Sequence, residues 1–128
     1  MGRRLAAAGQ AVSAGKTVIH RDIGNLGAAE AALSGTPPDK MVELWSPPNA
    51  AGTQGILWFV AMQDALRHRC RDRPFTLVVD CGGRADLAIE ALRAGLPAVA
   101  LAARSPVADK VVDIADQLGG RVVLIPAG

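Results

Sequence analysis

A chain of 128 residues and 13.2 kDa holds one domain of ordinary size and leaves no room for two. Half of its residues are apolar and a fifth are charged, so it can bury a real core, which argues against disorder. The net charge is only +2 and the aromatic side chains are Trp45, Trp58, Phe59 and Phe75, with no Tyr, so neither the basic surface nor the stacking platforms of a nucleic-acid reader are present.

Residues 1–16 read as an N-terminal arm or short helix. Arg3-Arg4 precede Leu5-Ala6-Ala7-Ala8, but Gly9 and Gln10 interrupt the apolar run that a secretory signal needs. Position six holds Ala6 where myristoylation calls for Ser or Thr. Gly15-Lys16-Thr17 has the ending of a Walker A loop, yet Gln10 stands where its first Gly belongs, and the order is helix-like then strand-like. It reads as a turn entering a strand.

From Thr17 to Gly128 the pattern is that of a single α/β domain. Thr17–His20 is a candidate strand, and Leu26–Leu33 an Ala-rich helix. Pro37-Pro38 marks a loop. Met41–Trp45 is a second strand, and Ser46–Gly55, rich in Pro and Gly, a long loop. Ile56–His68 is a helix, apolar nearly all round at its start, with Trp58 and Met62 expected to face away from Phe59 and Val60. A helix packed on one sheet face needs a single apolar stripe. Trp58 and Met62 are therefore expected in a homo-oligomer interface, or under the N-terminal arm. The run Arg67–Arg73 ends that helix, where positive charge complements the macrodipole; an anionic partner is the alternative.

Phe75–Asp80 is a β-branched run between Pro74 and Gly82-Gly83, read as a strand buried on both faces. Asp86–Ala94 is a helix stopped by Gly95, and Pro97–Ala102 another buried strand. Ser105-Pro106 pairs a good N-cap with Pro at the first helical position, ahead of Val107, Val111, Ile114, Ala115 and Leu118 at helical spacing. Gly119-Gly120 ends this helix, and Arg121–Ile125 is the last strand. Apolar strands alternating with amphipathic helices predict βαβ units in a mostly parallel sheet of four or five strands.

Ligands of open α/β sheets sit at the carboxyl ends of the strands. Three stretches reach that rim. Asp80-Cys81-Gly82-Gly83-Arg84 offers glycines that let the backbone approach an anion, N–H groups of the next helix, and the fork of Arg84. Ser46–Gly55 brings Asn49, Thr53 and Gln54 as neutral hydrogen-bonders, and the third stretch brings Arg104 and Ser105. The expectation is that Asn49, Thr53, Gln54, Gly82, Gly83, Arg84, Arg104 and Ser105 converge on a small anionic or polar ligand. Cys81 beside Arg84 is a candidate nucleophile and Asp80 a second catalytic candidate, although Cys81 to Arg84 is too short a span for a phosphatase loop, Asp80 would raise the thiol's pKa, and a tight turn with a buried Cys and a capping Asp explains the same residues. Cys70 and Cys81 are too few for a disulfide scaffold, and with His20 and His68 they match no zinc spacing. No metal, no cofactor and no membrane span are expected, and a cytoplasmic location follows by default.

The segment Ala91-Leu92-Arg93-Ala94-Gly95-Leu96-Pro97-Ala98-Val99, continued by Ala103-Arg104-Ser105-Pro106-Val107-Ala108, resembles a βα unit of the KDPG-type aldolase barrels. Those proteins carry a similar Ala-Leu-x-x-Gly-Ile-Pro segment, then a strand, an Arg-Thr-Pro turn and a helix. The family's catalytic Glu falls near Ala100, and no Lys occupies a matching strand for a Schiff base. The resemblance thus implies βα architecture without aldolase chemistry, and a complete eight-stranded barrel does not fit in 128 residues. The function expected from the sequence is non-enzymatic ligand binding by an oligomeric protein. The alternatives are an enzyme acting on a phosphorylated or carboxylated metabolite, and an interaction module assembled through the Ile56–Met62 helix.

Overall fold

Short β-branched and aliphatic runs form β1 (Thr17–His20), β2 (Met41–Trp45), β3 (Thr76–Asp80), β4 (Ala98–Ala102) and β5 (Arg121–Ile125). Between them lie α1 (Leu26–Ser34), α2 (Ala50–Gln54), α3 (Ile56–Arg69), α4 (Ala85–Arg93) and α5 (Ala108–Leu118). The computed structural model describes residues 16–126. Residues 1–15 of the expected arm, with Gly15 of the Gly-Lys-Thr turn, and residues 127–128 lie outside them.

The strands form one five-stranded sheet in the order β1-β2-β3-β4-β5, and every neighbouring pair is parallel. Sequential parallel neighbours joined by right-handed crossovers bring every connecting helix to the same face. The packing agrees. One core joins Phe59, Met62 and Leu66 of α3, Ala88, Ala91 and Leu92 of α4 and Val111 and Ala115 of α5 to Leu44, Leu77, Val79, Val99 and Leu101. The opposite face carries a second, smaller core of Trp45, Val78, Ala98 and Ala100, with Val123 and Ile125 against it and no helix residue in it.

How that face, on which no described helix packs, stays buried follows from β4. Its residues alternate Ala98, Val99, Ala100, Leu101, Ala102, so the large side chains go to the helices and the alanines to the other side. Longer side chains lie across this low floor. The Trp45 indole donates to Glu43 Oε1 at 2.7 Å, and Arg121 Nη2 on β5 donates to Glu43 Oε2 on β2 at 2.9 Å. Three strand spacings separate these residues, about 14 Å of flat sheet. The Glu43 and Arg121 side chains therefore run along the face rather than out of it.

Beyond shifts of a residue or two, three features differ from the sequence reading. The expected loop Ser46–Gly55 contains helix α2, entered through Asn49 in the left-handed region at φ 59° and separated from α3 by Gly55 at φ 93°. Ser105 does not cap α5. Its N–H donates to Ala102 O and its carbonyl accepts from Ala108 N, making a turn of Ser105-Pro106-Val107 that delays the helix to Ala108. Met62 does not face away from Phe59. Three residues apart on α3, both enter the core, and Met62 is 4 % exposed. Among the described residues, no helix is long and apolar enough to cross a membrane.

Candidate functional site

Four connections meet at the carboxyl end of the sheet, and hydrogen bonds between them fix the rim. Ser46 Oγ accepts from Asp80 N at 2.8 Å and donates to Pro47 O at 3.1 Å, while Ser46 N donates to Val78 O, so the ends of β2 and β3 are locked together. Asp80 Oδ1 accepts from Gly82 N at 2.8 Å and from Asn49 N at 3.2 Å. Gly82 sits at φ 58°, and a Cβ there would run into Asn49 Oδ1, so both backbone and space require glycine. The β1–α1 connection is pinned from two sides. Ile23 N donates to Trp45 O at 2.9 Å, and Gln54 Nε2 and the Trp58 indole both donate to Gly24 O, at 2.9 and 3.0 Å.

This frame surrounds a cavity of about 310 Å³ lined by Arg21, Asp22, Trp45, Ser46, Pro48, Asp80 and Ile125. Small-molecule sites begin at about this size. The space exists because Asp80 on β3 and Ile125 on β5 flank a β4 whose residues on this face are Ala100 and Ala102, too small to fill it. The Arg21 guanidinium stands over the Trp45 ring, 4.8 Å from its centroid. Two carboxylates and one guanidinium thus face a wall of indole and isoleucine.

No family model matches the chain, and no curated protein matches it. The site stands on its geometry alone.

The residues expected from sequence separate into groups. Asp80 lines the cavity. Asn49, Gln54 and Gly82 build its frame, and Thr53 Oγ1 donates to Asn49 O at 2.8 Å within α2. The expected convergence on an anion is not what the rim presents. Arg84 gives its Nε and Nη2 to Asp86, at 2.9 and 2.7 Å, and these bonds hold the Asp86 carboxyl below its ordinary range. Gly83 and Arg104 are exposed, and Ser105 is held in its turn; none of the three lines the cavity. Cys81 is 1 % exposed, packed in the helix-side core. Burial first, then the charges of Asp80 and Asp86, push its thiol up to about 12, the reverse of an activated nucleophile.

Arg21, Asp22, Trp45 and Ile125 were missed. Arg21 and Asp22 follow the shortest strand, where the pattern is weakest. Trp45 and Ile125 read as ordinary strand ends. The signal available for them was the small–large alternation of β4, which marks the face on which β2 and β5 must supply the bulk.

Proposed function

We propose that this protein is a small-molecule binding domain whose ligand occupies the cavity at the carboxyl ends of β2, β3 and β5. The observation that carries the reading is the placement of Asp80, Asp22 and Arg21 around an apolar wall of Trp45 and Ile125. Carboxylates outnumber the single guanidinium, so the ligand is polar and presents hydrogen-bond donors or a cationic group to Asp80 and Asp22. Its apolar part lies against Trp45 and Ile125. Asp80 Oδ1 already accepts two backbone N–H groups, which fixes the carboxylate in place. A carboxylate held this way suits recognition. The sequential parallel order with helices on one face also supports the resemblance of residues 91–108 to KDPG-type aldolase barrels as one of architecture, since those barrels arrange their strands in this way.

Native mass spectrometry of the protein purified from its own host tests the reading. The expected spectrum carries an additional small mass that is lost on gentle activation. Asp80→Asn keeps an oxygen for Gly82 N and Asn49 N but removes the charge, and it is expected to lose the additional mass. A bare chain in the wild-type spectrum, or equal retention in Asp80→Asn, contradicts it.

A second reading, assembly through α3, is favoured by Leu57, 77 % exposed, beside the half-exposed Trp58 and a shallow apolar cavity of about 190 Å³ between α1 and α3. In it a second copy of the chain covers Leu57. Leu57→Glu is then expected to halve the native mass of a dimer while leaving rim binding intact. An unchanged mass contradicts it.

A further inference from the structure

At the opposite end of the sheet lies a larger cavity of about 410 Å³, lined by Arg67, Cys70, Arg71, Arg73, Pro74 and Phe75. It forms where α3 ends and the turn into β3 begins. Arg69, just outside it, is paired with Glu30 at 3.2 Å. Arg67, Arg71 and Arg73 make no salt bridge among the described residues. Arg73 is fixed in place: its Nη1 and Nη2 donate to the carbonyls of Thr36 and Pro37, at 2.6 and 3.5 Å. Arg71 donates through Nε to His68 O at 3.3 Å, which leaves both of its terminal nitrogens for another acceptor. The C-terminal dipole of α3 is worth about half an elementary charge. That is too little to account for three guanidiniums around one concavity, whose mutual repulsion a bound anion would relieve.

We propose that this cavity binds a small phosphate-bearing anion, with its charge on Arg67, Arg71 and Arg73 and its remainder against Pro74 and Phe75. The site is separate from the rim and does not depend on the rim reading. Two features set its chemistry. Guanidinium forks match the oxygens of a phosphate in pairs, as the terminal nitrogens of Arg71 can, and Arg73, held by Thr36 and Pro37, supplies a fixed positive charge beside them.

Cys70 lines this cavity and is partly exposed, whereas Cys81 is buried with its thiol pushed up to about 12. Alkylation of the folded protein by iodoacetamide near pH 8 therefore reports on Cys70. Inorganic pyrophosphate is expected to slow that alkylation several-fold and saturably, with the half-effect concentration rising as sodium chloride is added. Arg67→Ala/Arg71→Ala, which leaves the Arg73 bonds to Thr36 and Pro37 in place, is expected to abolish the protection. Asp80→Asn is expected to keep it, so that failure here and failure at the rim are told apart. The proposal is overturned if pyrophosphate leaves the rate unchanged, if sodium chloride of matched ionic strength slows it equally, or if the double variant is still protected.

Discussion

The two faces of this sheet bury themselves by opposite means. On the helix side, Leu44, Leu77, Val79, Val99 and Leu101 meet Phe59, Met62, Leu66 and Val111, and large side chains interlock between two layers. On the other side no described element forms a layer, and Val78, Ala98 and Ala100 are buried beneath side chains of their own sheet. A parallel sheet is ordinarily covered on both faces. Here an alanine floor is low enough for Trp45, Glu43 and Arg121 to lie flat over it, and where that cover stops, at the rim, the cavity opens. The face on which no described helix packs is therefore the one at whose rim the cavity lies.

This contrast predicts different vulnerabilities. The helix side should suffer most from truncation: Phe59→Ala is expected to cost about 3–5 kcal/mol, measured by urea denaturation, because nothing can collapse into the space between the layers. The open side should suffer from enlargement. Ala98→Leu, in register with Val78 and Trp45, is expected to cost about 1–3 kcal/mol by overpacking under Trp45, and to raise the exposure of the indole, read as a red shift in fluorescence. A similar cost for Ala98→Leu without any change in fluorescence would break the description of the floor.

Cys81 sharpens the helix side through pH. Its thiol has an ordinary value of 9.0 and stands near 12 in the folded protein. A raised folded value means that the native state holds its proton more tightly than the unfolded chain does. The stability due to this group is fully present below pH 9 and is lost as pH rises towards 12. Cys81→Ser should flatten the alkaline part of the stability curve relative to wild type, and an unchanged slope would count against burial of the thiol. The smallest effect is expected at the open side's surface pair. Arg121→Ala should cost less than about 1 kcal/mol, because the Arg121 side chain is half exposed and its bond to Glu43 is screened.

The sequence reading located β1, β2 and β5 to the residue, and it placed β3, β4, α1, α3 and α4 to within a residue or two. Their β-branched runs and helical spacings act locally, so a single chain displays them. It missed the turn that delays α5, because Ser105-Pro106 is as good a helix start as a turn and the bond from Ser105 N to Ala102 O is made only once β4 has ended. It read β3 and β4 as buried strands, as they are, but gave no sign that the described helices share one face. The order β1-β2-β3-β4-β5, which sends every helix to one side, is a long-range property and leaves no local mark. At the site, Asp80 was legible from its place at the end of a strand before Gly82-Gly83. The places of Arg21 and Asp22 were not, since they are set by long-range pairing of β1 with β2 and by the bonds of Ile23, Gln54 and Trp58 around the β1–α1 connection.

The central claim is that the rim between Asp22, Trp45 and Asp80 holds a small polar molecule. The most direct test is a map of backbone amide shifts, recorded by NMR as the small-molecule extract of the host's own cells is added to the ligand-free protein. The account predicts saturable shifts confined to Asp22, Ser46, Asn49 and Gly82 and their neighbours, and their disappearance in Asp80→Asn. Shifts confined to residues elsewhere, or a spectrum that does not move, would contradict it.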